Sequence, residues 1–369
     1  MKNRIAFLLA LLFVLTLKVP LEADWKSDWE KGVEAARKEG RLNLYVGRYG
    51  QAALLEEFTK EYPEIKLVTV NGTGDQLATR ILTEARAGKV LADLYSGGPN
   101  SNLILYRGKV LEPIKSAFIL PEVLDESKCY ERRHAFTDPE RQFVFVYVVL
   151  PSTRGLAYNS NFASPKEFNS YWDLTRPKWK GKIVSQRPTE TGLSVHLQFY
   201  YYNPELGPEF MRRLFGATDM TFGDRRTITD WLAAGKFAIC HGCRQIEKAK
   251  SQGLPVDDFD TGAWKEGQPL STGGGSIGLI KGGPHPNATR VFINWFLSRK
   301  GQTALQKSND LYGELPPNSR RMDIPKDMLP PENRLVEGRK YLDVSRPEFD
   351  DVAPALKLVK EIMAAREQR

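Results

Sequence analysis

Five arginines stand in short stretches of glycine and small polar residues: Arg48 in Gly47–Arg48–Tyr49–Gly50, Arg187 after Ser185–Gln186, Arg225 and Arg226 in Gly223–Asp224–Arg225–Arg226–Thr227, and Arg244 after His241–Gly242–Cys243. A guanidinium offers two parallel donors to a carboxylate or phosphate. Three more stretches carry glycine with hydroxyls or amides: Asn71–Gly72–Thr73–Gly74, Ser96–Gly97–Gly98–Pro99 and Thr189–Glu190–Thr191–Gly192. Taken singly, each arginine reads as an exposed loop residue, each glycine as a turn, and Thr73, Thr189 and Thr191 as helix caps. Taken as a set, they point to a cleft that receives a small anion. A second pattern is Cys240–His241–Gly242–Cys243. This spacing suits a local disulfide or a redox pair. A zinc site would want a second ligand pair at matching spacing, and the sequence has none. The pair therefore reads as structural or ligand-adjacent, with Cys129 left over. No HExxH or phosphate-binding loop is present, and the acids and histidines are too scattered for a catalytic set. His134, His196 and His285 read as structural or surface residues.

Such groups act together only if regular elements carry them to one place. Leu42–Val46 reads as a strand, Ala52–Glu61 as a helix and Lys66–Val70 as a strand. Asp75–Ala87 is a helix with Leu77, Ile81, Leu82 and Ala85 on one face, and Leu91–Tyr95 is the next strand. This alternation predicts α/β units with a largely parallel sheet. The apolar run Phe143–Leu150, followed by Leu156–Tyr158, suits a strand leaving one lobe for another. Ile183–Ser185, helices over Gly192–Tyr202 and Pro208–Phe215, Ile228–Ala234 and Phe237–Ile239 form a second α/β lobe. The return crossing is expected at Thr272–Ile280, through the flexible Gly273–Gly275. Val291, Phe292, Trp295 and Phe296 share one face of a helix that starts at Ala288 and stops at Ser298–Gly301. From about Asn309 the chain is proline-rich, wraps irregularly and ends in a helix over Val352–Arg366. Open α/β sheets bind ligands beyond the carboxyl ends of their strands, where helix N-termini favour negative charge. That rule selects Arg48, Tyr49, Thr73, Gly74, Ser96, Gly97, Arg187, Thr189, Thr191, Gly192, Arg225, Arg226, Cys243 and Arg244 as ligand contacts.

The stretch Gly273–Gln302 (GGGSIGLIKGGPHPNATRVFINWFLSRKGQ) is the most specific in the chain. With Trp29–Leu44, Phe58–Ile65, Gly155–Asn159, Trp172–Ile183 and Gly235–Ile239, matching in order, it resembles the extracellular solute-binding proteins of bacterial ABC importers. The matching group includes ferric-iron, polyamine and phosphorylated-compound binders, and the likeness spans roughly residues 25–305. The resemblance implies a type II periplasmic binding protein fold: α/β, two lobes, two hinge crossings and a central ligand cleft. It also implies a monomer that closes on a solute without covalent chemistry and delivers it to a membrane permease and ATPase. Ferric-iron members of the group use two adjacent tyrosines in the stretch matching Gly235–Arg244, where this sequence has none. Tyr200–Tyr201–Tyr202 is no substitute, because consecutive helical side chains diverge by about 100°. The expected solute is a small organic anion: a carboxylate, phosphonate or phosphate ester. The alternatives are ferric iron or an iron chelate and, in another class, a periplasmic thiol oxidoreductase using Cys240 and Cys243. A ligand-sensing partner of a membrane receptor would use the same fold.

Residues 1–23 read as a cleavable secretory signal: Lys2 and Arg4, the apolar run Ile5–Leu17, then Ala23. Lys18 and Pro20 interrupt the run before the roughly 20 residues a membrane span needs. The expectation is a soluble periplasmic protein. The remaining length suits two lobes, expected as 24–146 plus 273–308 and as 147–272 plus 309–369. Removing Lys2, Arg4, Lys18 and Glu22 lowers the formal charge from +8 by two, to +6. The excess is spread out, with no basic stripe, which argues against nucleic acid. No cofactor and no metal are expected.

Overall fold

The computed structural model describes residues 24–50, 52–151, 155–187, 193–221, 225–308 and 317–367. Seven strands build the first lobe's sheet: β1 (Arg41–Val46), β2 (Lys66–Asn71), β3 (Leu94–Gly97), β4 (Leu111–Glu112), β5 (Ala135–Phe136), β6 (Val144–Val146) and, after a long excursion, β14 (Ser276–Ile280). Their order is β2-β1-β3-β14-β6-β5, with β4 also on β14. Only β2, β1 and β3 are mutually parallel; β14 runs antiparallel to β3, β4 and β6. The parallel part follows from strand–helix alternation. The inversion at β14 follows from its history, since it re-enters the sheet from the other lobe.

Six helices flank this sheet: α1 (Asp24–Glu39), α2 (Ala52–Glu61), α3 (Gly74–Arg86), α4 (Pro99–Arg107), α10 (Pro286–Leu297) and α11 (Arg299–Lys307); α5 (Pro121–Leu124) is a single turn. The face of α10 read from the sequence is the buried one, with Val291, Phe292, Trp295 and Phe296 all at most 3% exposed. Phe58 of α2 meets Phe292 and Trp295 edge-on, with ring centroids 5.1 and 5.3 Å away. Burying each such side chain contributes about 1.5–3 kcal/mol. The helix stops at Ser298, within the expected Ser298–Gly301, and a second helix follows directly. Ser298 turns extended and accepts from the Gly301 N–H at 3.2 Å, capping α11 directly. Strand β3 starts three residues later than its apolar run, because Asp93 accepts from the backbone of Asn43 and His285 just before it.

The second lobe holds β8 (Leu156–Asn159), β9 (Ile183–Gln186), β10 (Asp219–Thr221), β11 (Ile239–His241) and β12 (Val256–Asp258), ordered β10-β9-β11-β8-β12. Its helices are α6 (Ser194–Tyr202), α7 (Gly207–Ala217), α8 (Arg225–Ala233), α9 (Ile246–Ser251) and α12 (Ala353–Glu367). Tyr200 is fully buried in its core, and the Tyr202 hydroxyl donates to the Asp351 carbonyl at 2.7 Å.

Between the lobes lies a separate small sheet. Strand β13 (Gln268–Ser271) pairs antiparallel with β7 (Leu150–Pro151) and parallel with β15 (Tyr341–Asp343). The outward apolar run Phe143–Leu150 thus splits into β6 and β7. The return crossing lies at Gln268–Ser271, ahead of the glycines, and Ser276–Ile280 already belongs to the first lobe. The C-terminal chain adds a third strand that the two-crossing expectation lacked. Within the C-terminal stretch, residues 318–326 bind the first lobe. Ser319 Oγ donates to Gln302 Oε1, and Arg321 donates to the Glu122 and Leu297 carbonyls. Lys326 Nζ donates to Gln306 Oε1, Asn318 Oδ1 and the Ser319 carbonyl, and burial brings its ammonium down to about 7. A buried ion pair, Arg320–Asp343, then joins this strap to β15.

Candidate functional site

The carboxyl ends of β1 and β3 open toward the hinge. Beneath them the Tyr95 hydroxyl and Ser101 Oγ are 2.7 Å apart. A Cβ on Gly47 or Gly97 would lie 2.8 or 2.2 Å from the Tyr95 hydroxyl, and one on Gly74 would lie 2.7 Å from Ser101 Oγ. Three loops converge there, and only glycine lets them approach so closely. Gly74 opens α3 with the exposed Thr73 as its N-cap, whose N–H donates to Gln76 Oε1 at 3.3 Å. Gly97 precedes the N-terminus of α4.

Tyr49 is buried, and its hydroxyl donates to the Gly273 carbonyl at 3.0 Å. Ser96 Oγ donates to the Tyr49 carbonyl at 3.2 Å and lies 3.0 Å from the Tyr147 hydroxyl. Burial pushes the Tyr147 hydroxyl far above its ordinary range, so it stays protonated. Arg48 is half-buried against the hinge glycines, where a Cβ on Gly274 (φ +83°) would come within 2.7 Å of Arg48 Cδ. The structure thus brings Arg48, Tyr49 and Ser96 together with the crossing. Tyr147, a member of this cluster, was not among the expected contacts. Its only sequence signal is its place in an apolar run.

In the second lobe, Arg187 is half-buried just beyond the end of β9. Thr189, Thr191 and Gly192 lie outside the described residues, as does the side chain of Arg225, which opens α8. Arg226 is exposed on the first turn of α8. Arg244 is exposed too, and Thr229 Oγ1 ties its backbone at both N–H and carbonyl. Cys243 is disulfide-bonded to Cys240 and offers no thiol. Between those cysteines, His241 is buried at the end of β11, 3.3 Å from Ser185 Oγ and 3.2 Å from the Tyr200 hydroxyl. Among the described residues, no three His, Cys, Asp or Glu side chains are grouped as a metal site.

A cavity of about 110 Å³ lies where both lobes meet the hinge. Its walls are Pro99 and Asn100 from the first turn of α4, Ser194, Val195 and Gln198 from α6, Ser271 and Thr272 from the crossing, and Val344, Ser345, Asp350 and Val352 from the C-terminal chain. None of the described sequence-selected contacts is among them. Sequence reasoning missed this wall because the C-terminal return gives no local pattern. Burial raises the Asp350 carboxyl to about 6, and the charge of Asp351 adds to this against Arg107. A larger recess of about 610 Å³ runs between α2 and α11, and its described lining residues come from the first lobe.

The family model described as bacterial extracellular solute-binding protein matches residues 53–326. Among solved structures, a Trichodesmium protein (IdiA, FutA) in complex with iron and citrate is 20% identical at a TM-score of 0.65, covering 88% of this chain and 99% of its own. Mannheimia haemolytica ferric iron-binding protein A in an open conformation is 18% identical at 0.63, covering 88% and 98%. AfuA from Actinobacillus pleuropneumoniae, with exogenous fructose-6-phosphate bound, is 18% identical at 0.54, covering 87% and 97%. At these identities the structures show the fold alone, that of two-lobed type II periplasmic binding proteins. With two α/β lobes, a hinge sheet between them and a family match over most of its length, the chain belongs to the bacterial extracellular solute-binding proteins, which capture solutes for ABC importers and are not enzymes.

Proposed function

We propose that this chain is a periplasmic receptor that closes on a small organic anion (a carboxylate, phosphonate or phosphate ester) and acts as a monomer. Residues 1–23 serve as its cleaved secretory signal. Among the described residues no helix is long and apolar enough to cross a membrane. The observation that carries the anion reading is the pair Arg48 and Arg187. Each is half-buried directly past the carboxyl end of a sheet strand, β1 in one lobe and β9 in the other. The N-termini of α3 and α4 add backbone donors on the same side of the first sheet. Ferric iron is the weaker reading. The stretch Gly235–Arg244 has no tyrosine, and its cysteines are bonded to each other. The thiol oxidoreductase alternative is disfavoured by the family match.

A thermal-shift screen tests the reading, since a ligand that binds only the native state raises its melting temperature. The panel holds carboxylates, phosphonates and phosphate esters, with ferric salts in the presence and absence of citrate. The expected result is a shift with one anion class, and a roughly 10- to 100-fold weaker affinity in Arg187→Ala, the usual effect of removing one partner from a desolvated charge pair. A shift with ferric salts alone would sink the anion reading.

A further inference from the structure

The hinge cavity holds a charge that the anion reading leaves unused. Among the described residues, Asp350 is the one charged residue in its lining. Its backbone is fixed, because Gln198 Nε2 donates to its carbonyl at 2.9 Å and to that of Phe349 at 2.9 Å. Its carboxylate takes no hydrogen bond or close ion pair among the described residues, and the nearby charge of Arg107 only partly offsets its burial. Half-buried carboxylates are normally paired, and burial already pushes this one up to about 6. The other polar walls are neutral: Asn100, Ser194, Gln198, Ser271, Thr272 and Ser345. They come from both lobes and from the hinge, so a group placed here touches every part that moves on closure. The volume is small. Water takes about 30 Å³ in the liquid, so about 110 Å³ admits a head group of a few heavy atoms and excludes a bulky ligand.

We infer that the captured solute carries a protonated amine as well as its anion, and that Asp350 receives the ammonium group in this cavity. The inference rests on the anion reading for the other pole. One end of the solute lies at the arginine-bearing strand ends and the other at the C-terminal wall. A solute held at both poles spans the hinge, and this favours the closed arrangement over the open one.

Calorimetric titration of the purified protein with matched solutes at millimolar concentration tests the inference. The pairs are propionate with 3-aminopropionate and propylphosphonate with 3-aminopropylphosphonate, and propylamine is the cation control. The expected result is that the amine-bearing member of at least one pair binds about tenfold or more tightly, the scale of one desolvated charge contact. Asp350→Asn brings that ratio toward one, and Asp350→Glu keeps part of it; circular dichroism verifies that both variants fold. Equal affinity within both pairs, with a ratio unmoved by Asp350→Asn, overturns the inference and leaves the anion reading standing. Propylamine binding as tightly as the aminated anions, with sensitivity to Asp350→Asn, keeps the Asp350 contact and overturns the anion reading. No binding by any of the five overturns the inference and leaves the anion reading to the thermal-shift panel.

Discussion

Asp350 is ionised at neutral pH in a place that raises its carboxyl to about 6. The unfolded chain ionises near 3.8. Between those values the folded state holds the proton more tightly, so stability falls as pH rises from about 4 to about 6 and stays reduced above. Asp350→Asn therefore stabilises the ligand-free protein at pH 7.5, by about 1–3 kcal/mol at most, and has no such effect at pH 3.5. Denaturant melts at the two pH values check this; an equal effect at both would remove the electrostatic cause. Among the sequence-selected residues the outcome is uneven. Arg48 and Arg187 come out half-buried at strand ends, which the rule about carboxyl ends captures from sequence. The hydroxyls of Tyr49 and Ser96 turn inward to the crossing, and no local pattern could show that.

At the scale of elements, the sequence was most legible where packing is local. The apolar face of α10, the spans of α2 and α3 and the strand β2 follow directly from periodicity. Misreadings cluster where a distant segment decides. The start of β3 shifts because Asp93 bonds across to Asn43 and His285, and the strand–helix pattern could not foresee an antiparallel β14. The glycine run before β14 is a hinge element with a testable demand. Gly274 has φ +83°, and an added Cβ would meet Arg48 at 2.7 Å. Gly274→Ala is expected to destabilise by about 1–3 kcal/mol through backbone strain. It is also expected to weaken anion binding by displacing Arg48. Chemical denaturation and titration on one preparation would separate the two. Lost stability with unchanged affinity would mean that Arg48 does not touch the solute.

The whole molecule is held together by a third route that two-lobed reasoning from sequence did not contain. After β15, Arg346 pairs with Glu131 and Glu348 with Arg141, both on the first lobe, while α12 buries Ala355, Leu358, Val359 and Ile362 in the second. The two ion pairs are exposed or half-exposed, and such pairs contribute about 0–1 kcal/mol each. Replacing Arg141 and Arg346 with alanine should therefore leave global stability nearly unchanged. It should also free the lobes to open further, and small-angle scattering would read this as a larger radius of gyration in the ligand-free protein. High salt should reproduce part of that expansion in the unaltered protein. An unchanged radius under both treatments would show that the hinge sheet alone sets the angle.

The same strap decides where the outermost described helices travel. Helix α1 packs on α10 in the first lobe, and α12 packs on α7 in the second. The first and last described helices are therefore carried by opposite jaws. A donor fluorophore on one and an acceptor on the other would report the jaw angle as energy transfer, with no probe placed near the solute. Cutting the chain within either of the first two crossings would not yield two independent halves, because β15 and α12 still bind them together.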